Sequence, residues 1–278
     1  ATGNVGRKTI EILEKSKIEF SKLFLVASEK SEGKKIKFKG NEIQIQSLEK
    51  YDFSSAKITF FAAGSKIAEK WIPKASTKTI VIDNSKFFRM DKDVPLVVPE
   101  VNPKDLAMYK NKNIIANPNC STIQMVVALK PLHDNFKIKR AVVSTYQSVS
   151  GAGKAPMDEL ISQSKEYLDG KKIDSKNFTK QIAFNLIPHI DEFVEEGYTK
   201  EEWKMINETK KILDPKIKLT ATCVRVPVMV SHAESINVEF EKNFDIKKVK
   251  DILSRAEGCK VLDERKNGGD ITPIEEEN

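Results

Sequence analysis

Residues 1–20 read ATGNVGRKTIEILEKSKIEF. Thr2, Gly3, Asn4, Val5 and Gly6 precede a run in which apolar Ile10, Ile12 and Leu13 are set among Glu11, Glu14 and Lys15, a helical pattern. A glycine-rich turn feeding a helix is built to hold phosphate. Glycine lets the backbone come close to a pyrophosphate, and free amides with the helix dipole hold its charge. Thr2, Gly3, Asn4 and Val5 are therefore candidate cofactor contacts. In dinucleotide-binding folds a strand leads into such a turn, whereas this sequence opens with the turn itself.

Outward from that turn, short β-rich runs alternate with helical ones. KLFLVAS (22–28), AKITFFAAG (56–64), KTIVIDN (78–84) and NIIANPN (113–119) read as strands, and SKIAEKWIPKA (65–75) as a helix. Strands separated by helices predict βαβ units and a parallel sheet, ending near Asn117. The remainder differs. KRAVVSTYQSVSG, QIAFNLIP, LTATCVRVPVMV and AESINVEFE read as strands of a largely antiparallel or mixed sheet, with helices near 121–136, 156–169, 200–213 and 246–257. Thr199 and Glu202 form a capping box at the third of these. The fold class is α/β: a Rossmann-type dinucleotide-binding domain over 1–117, then an α+β catalytic domain over 118–278.

The chain has 278 residues, 40% hydrophobic and 31% charged, with a net charge of +7. No apolar run approaches the roughly 20 residues that span a bilayer, and no secretory signal is visible. The lysines are scattered along helix faces and loops without interleaved aromatic residues, which argues against nucleic acid and suits anionic small-molecule substrates. Cys120, Cys223 and Cys259 form no C-x-x-C pair and no metal-ligand spacing with His133, His189 or His232. Unpaired thiols fit a reducing, cytoplasmic setting.

Cys120 stands at a strand-to-helix junction in ANPNCSTIQM. Unpaired amides and the positive end of the dipole there favour a thiolate, although most free cysteines only fill core. A thiolate nucleophile needs a proton carrier. His133 lies about 20 Å along the same helix, too far to serve. His189 follows a proline in a loop, and His232 lies between two strands with access to a cleft, so His232 is favoured.

ATGNVG, VIDNSKFFR, DVPLVVPEVN, ANPNCSTIQM, STYQSVSGAG, AFNLIPHIDEF, EEWKMINETKKIL and CVRVPVMVSHAES occur together and in this order. Over residues 1 to about 240 the chain resembles the bacterial aspartate-β-semialdehyde dehydrogenases. The resemblance implies NADPH-dependent reduction of L-aspartyl-4-phosphate to L-aspartate 4-semialdehyde and phosphate, in lysine, threonine and methionine biosynthesis. It makes Cys120 the thioacyl-forming nucleophile, His232 the acid/base and Gln147 the residue that orients substrate. It assigns Arg225 to the substrate carboxylate, Glu201 to its amino group, and Lys204, Arg89 and Asn119 to phosphate. Read without the resemblance, Glu201 and Lys204 are a helical ion pair and Arg225 a strand-face arginine. The related N-acetyl-γ-glutamyl-phosphate reductases usually carry glycine where Asn119 stands. A non-catalytic relative has no reason to retain Cys120, Gln147, Arg225 and His232 together.

NAD-selective enzymes place an acidic residue after the second strand. Here that strand runs into ASEKSEG, where Lys30 and Ser31 suit a 2′-phosphate and Glu29 does not, so NADP is the expected cofactor. Ser150 and Gly151 are the corresponding loop on the catalytic side. The family is commonly a homodimer. Both ends depart from the family pattern, since the strand before ATGNVG and the segment after NGGDITPIEEEN are absent, so the sequence reads as part of a longer chain.

Overall fold

A computed structural model of the chain describes residues 1–263, 266, 269 and 271–275. They divide into two units. One holds Ala1–Pro95 and Leu106–Asn117; the other holds Leu96–Asp105 and the described residues from Pro118 onward. The segment Leu96–Asp105 thus belongs with the second unit, although it precedes the boundary in sequence.

In the first unit the opening turn leads into α1 (Asn4–Lys15), capped by Gly3 without a side-chain bond. Ile10 of α1 is buried with Leu25, Phe38 and Ile45. Those residues belong to β1 (Leu25–Ala27), β2 (Lys35–Phe38) and β3 (Asn41–Ser47), where β1 pairs parallel and β2 antiparallel with β3. The β2–β3 hairpin is absent from the sequence reading, which placed its lysines on helix faces and loops. Ile36 and Phe38 nevertheless alternate with Lys35 and Lys37, and Lys39 and Gly40 turn the chain with φ of 45° and 81°. Both central residues at positive φ match the mirror-image turn that suits strand twist.

The rest of the unit follows the βαβ expectation: β4 (Ile58–Phe61), α2 (Ser65–Ala75), β5 (Ile80–Asp83) and β6 (Ile114–Ala116), all parallel in the order β4-β5-β6. The parallel sheet expected as one is therefore two three-stranded sheets among the described residues.

The second unit is built on a mixed sheet, β8-β7-β9, with β7 (Ile138–Gln147) parallel to β8 (Lys218–Arg225) and antiparallel to β9 (His232–Phe240). Its helices are α3 (Cys120–Phe136), α4 (Lys154–Leu168), α5 (Lys200–Ile212) and α6 (Ile246–Arg255). Along β7, Ala141, Val143, Thr145 and Gln147 are buried while Arg140 and Tyr146 face outward, the period-2 alternation of a sheet with one covered face. No helix among the described residues is long and apolar enough to cross a membrane.

QIAFNLIP is not a strand. Gln163 of α4 takes the Ile182 and Ala183 amides on its Oε1, Phe184 adopts φ 55°, and Ile187 alone bridges to Arg225. Backbone donors satisfied by a buried side chain have no need of a ladder. Glu159 holds the preceding loop in the same way through the Lys176 and Asn177 amides.

The capping box of α5 is present as read, and it reaches further. Glu202 accepts the Thr199 amide at 2.7 Å and also the Cys223 amide of β8 at 3.0 Å, tying the helix start to the strand that ends in Arg225. Thr199→Ala removes the cap and should destabilise the unit by about 1 kcal/mol, read as a lower denaturant midpoint with unchanged slope. An unchanged midpoint would show that the box contributes nothing here.

Candidate active site

The last residue of β7, Gln147, stands opposite Arg225 on β8 and opposite His232 on β9. Directly opposed residues on neighbouring strands project to one face, so the three side chains form a single rung on the covered side of the sheet. The sequence reading named all three without knowing that they share a rung.

Against this rung stands Cys120, the first residue of α3. Its Sγ lies 3.3 Å from His232 Nε2. His189 does not approach it; its ring bonds Thr179 and packs on Phe193. His133 is equally committed, taking the Ile138 amide on Nδ1 and facing Asp214.

The tautomer of His232 follows from its neighbours. The Ser148 amide donates to Nδ1 at 3.0 Å, so in the neutral ring the hydrogen is on Nε2, directed at the sulfur. Burial and the Arg225 charge push the His232 pKa down, against the pull of the Ser231 carbonyl, so the ring is neutral near pH 7. Ser148 Oγ is 3.2 Å from the same Nδ1 and 3.0 Å from Ser150 Oγ, which gives a protonated Nδ1 an acceptor.

Asn119 caps α3, accepting the Ser121 and Thr122 amides on Oδ1. Its Nδ2 donates to Glu201 at 2.9 Å and its backbone N–H to Glu208 at 2.7 Å. Glu201 pairs with Lys204 at 2.8 Å, and Lys204 also reaches Asp191 at 3.1 Å. Burial opposes the Glu201 charge, but Lys204, Asn119 and Gln147 outweigh it and hold the carboxyl below its usual range. Burial opposes the Lys204 charge too, and the two carboxylates hold its pKa above the usual one. The ion pair read from spacing is thus real, and it is joined to the cysteine helix through Asn119.

Arg225 is buried, with Nη1 donating to the Ser148 carbonyl at 2.6 Å. A Cβ on Gly151 would lie 3.5 Å from that Nη1 and 3.6 Å from the His232 ring, so the glycine keeps the space over both open. Arg89 lies in the first unit, with Nε donating to the Asn117 carbonyl and Nη2 to that of Asn84.

In the first unit the turn at residues 2–5 fits a phosphate group. A Cβ on Gly3 would meet nothing within 4 Å, so packing does not require glycine there, and the first turn of α1 holds neither a side-chain cap nor an acidic residue. Gly6 is needed for the turn itself, since a Cβ would come within 3.1 Å of the Ala1 backbone. Lys30 and Ser31 lie in the short 3-10 turn Glu29–Ser31 that follows β1.

Sequence reasoning missed Ser148, Asp191, Glu208 and Glu234. Glu234 sits two residues from His232 on β9, opposite Thr145. Its carboxyl oxygens are sealed from solvent, and Gln124 of α3 is the polar side chain that faces them. Burial pushes this carboxyl up to about 8.

Two models of the semialdehyde dehydrogenase family match the chain: the NAD binding domain over residues 1–109 and the dimerisation domain over 129–275. The aspartate-semialdehyde dehydrogenase of Aquifex aeolicus is 51% identical over 278 residues, 99% of this chain and 82% of the relative. Aspartate-semialdehyde dehydrogenase 2 of Vibrio cholerae is 50% identical over 264 residues, 94% of this chain and 78% of the relative. Among solved structures, aspartate semialdehyde dehydrogenase II of V. cholerae complexed with ASA superposes with a TM-score of 0.96 at 47% identity, over 99% of this chain and 82% of that one. A more distant aspartate semialdehyde dehydrogenase with NADP, from Candida albicans, gives 0.68 at 28% identity, over 91% of this chain and 74% of that one.

Cys223 is buried and pushed up to about 12, and burial raises Cys259 as well, whereas Cys120 is exposed. Iodoacetamide at neutral pH should therefore label Cys120 first, as peptide mapping would show; earlier labelling of Cys223 would contradict the packing. Folded Glu234 keeps its proton to about pH 8, whereas an exposed glutamate loses it near 4.5, so the native state binds more protons across that window. Stability contributed by this group therefore falls as pH rises through the window, by up to about 1.4 kcal/mol per unit. The Tm of Glu234→Gln relative to the parent should climb between about pH 5 and about pH 8; a constant difference would exclude a titrating Glu234.

Proposed function

The chain belongs to the semialdehyde dehydrogenase family, in its aspartate-semialdehyde branch, and on that premise we propose how its site works as an aspartate-semialdehyde dehydrogenase. The observation that carries the reading is the Cys120 sulfur 3.3 Å from His232 Nε2, on the rung shared with Gln147 and Arg225.

In the reductive direction the Cys120 thiolate, hydrogen-bonded by Nε2–H of His232, attacks the acyl carbon of L-aspartyl-4-phosphate. The C–S bond forms, the C–O bond to phosphate breaks, and phosphate leaves with that electron pair. NADPH, when bound, supplies the hydride that reduces the resulting thioester. The C–S bond of the thiohemiacetal then breaks as the carbonyl forms, and His232 stabilises the departing thiolate while moving the proton. In the oxidative direction the ring serves as base in its other tautomer: with the hydrogen on Nδ1, donated to Ser148 Oγ in place of the bond from the Ser148 amide, Nε2 takes the thiohemiacetal hydroxyl proton. A thiolate is both good nucleophile and good leaving group, which suits the two-step route.

Arg225 holds the substrate carboxylate with the part of its planar fork that Ser148 does not occupy. Glu201 binds the amino group. Lys204, Arg89 and the second amide hydrogen of Asn119 contact phosphate. Gln147 cannot titrate and orients the acyl group. The amides of Thr2, Gly3, Asn4 and Val5 hold the cofactor pyrophosphate, Lys30 and Ser31 its 2′-phosphate, and Ser150 and Gly151 line its catalytic side, making NADP the preferred cofactor. The outward face of β8-β7-β9, where Tyr146 is 45% exposed, is the face for a homodimer. Cysteines outside any disulfide, as Cys120, Cys223 and Cys259 are, suit the cytoplasm.

The test follows phosphate-dependent NADP reduction with L-aspartate 4-semialdehyde, beside N-acetyl-glutamate 5-semialdehyde, NAD and a Cys120→Ala control. Turnover of the first aldehyde alone, faster with NADP and lost in the control by at least about a thousandfold, is the expected result. Full activity of Cys120→Ala would remove the thioacyl route, and no turnover of either aldehyde would remove the enzyme reading.

A further inference from the structure

Asn119, the residue before the nucleophile, is held from two sides by one helix. Glu201 and Glu208 of α5 are seven residues apart, two turns on the same face. Glu201 takes the Asn119 side-chain amide at 2.9 Å and Glu208 takes its backbone N–H at 2.7 Å. Glu208 is 1% exposed, among the most buried charged side chains of the unit.

We propose that Glu208 is a positioning residue for the cysteine chemistry, fixing the backbone at Asn119 and thereby the place of the Cys120 sulfur against His232. The proposal rests on the reading of Cys120 as nucleophile. Burying a carboxylate is costly unless strong hydrogen bonds recover the lost hydration, and an apolar residue would pack a helix interior at less cost. Glu208 accepts from a backbone donor that belongs to no helix or strand ladder and is itself buried, so an orphaned N–H is avoided. The N-terminus of α3 also favours negative charge beside it.

The geometric consequence is direct. Cys120 is bonded covalently to Asn119, so a peptide rotation at Asn119 swings the sulfur. Oδ1 of Asn119 fixes the first turn of α3, Nδ2 fixes the side chain to α5, and the N–H fixes the peptide. Without the last of these, the side-chain anchors still leave the peptide free to tilt. Misplacement of reacting atoms by about 1 Å can cost on the order of a hundredfold in rate.

Glu208→Gln keeps an acceptor at the same reach without the charge, and Glu208→Asp keeps the charge but withdraws the acceptor. On the whole chain, Gln should retain kcat within about fivefold, whereas Asp should lose at least about tenfold in kcat, with KM for L-aspartate 4-semialdehyde little changed. The rate of Cys120 alkylation by iodoacetamide, measured without substrate or cofactor, should fall in the same order. Should Asp fail to fold, Glu208→Met keeps length and volume without an acceptor and should behave as predicted for Asp. Asp or Met matching Gln in both kcat and alkylation would overturn the proposal, as would Gln losing as much as Asp. If the parent turns over no aldehyde, the function reading fails by itself and the alkylation series still decides the role of Glu208.

Discussion

The termination of α3 at Asn119 is the constraint on which the catalytic unit depends. An uncapped helix start leaves amides without partners, and this one is closed by a single side chain on Oδ1. Because Cys120 is the next residue, the same bonds that end the helix set the direction of the sulfur. Two carboxylates of α5 then hold Asn119, and the capping box of α5 is bonded to the β8 backbone two residues before Arg225. Helix cap, ion pair and sheet register are thus one connected set, and the rung of Arg225, Gln147 and His232 takes its position relative to Cys120 from it.

The charges in this set are arranged so that few remain uncompensated. Glu201 and Lys204 pair in partly buried surroundings and each holds the other ionised, with Asp191 adding to the pull on Lys204. His232, by contrast, is kept neutral by burial and by Arg225, and the Ser148 amide chooses its tautomer. Glu234 faces the neutral Gln124 rather than a cation, and its carboxyl responds to burial by holding a proton instead. Three buried titratable groups near one cysteine therefore meet the cost of desolvation in three ways: pairing, deprotonation of a base and protonation of an acid.

The first unit uses backbone rather than side chains. Its opening turn brings Gly6 close to Ala1 and leaves the space beside Gly3 open, and in the proposed function the backbone amides there hold the cofactor phosphates. That division suits the two tasks. Holding a pyrophosphate needs oriented dipoles and space, whereas moving a proton and a thioacyl group needs groups that titrate.

Much of this was legible along the chain. The βαβ spacing, the helices at Cys120 and Lys200, the capping box and the mixed sheet follow from local periodicity and end signals, because those depend on residues a few positions apart. The resemblance also supplied the roles assigned to Cys120, Gln147, Arg225 and His232. The β2–β3 hairpin escaped because three lysines masked an alternation, and QIAFNLIP was misread because its amides are claimed by Gln163, nineteen and twenty residues away. Glu208 and Glu234 looked like ordinary acidic residues of a helix and a strand. What the sequence by itself determined is the set of elements and the chemical groups available. Which groups face one another, which tautomer His232 takes and which carboxyl keeps its proton were decided by the tertiary structure, since hydrogen bonding across α3, α5 and the sheet, and burial away from water, exist only once those elements pack.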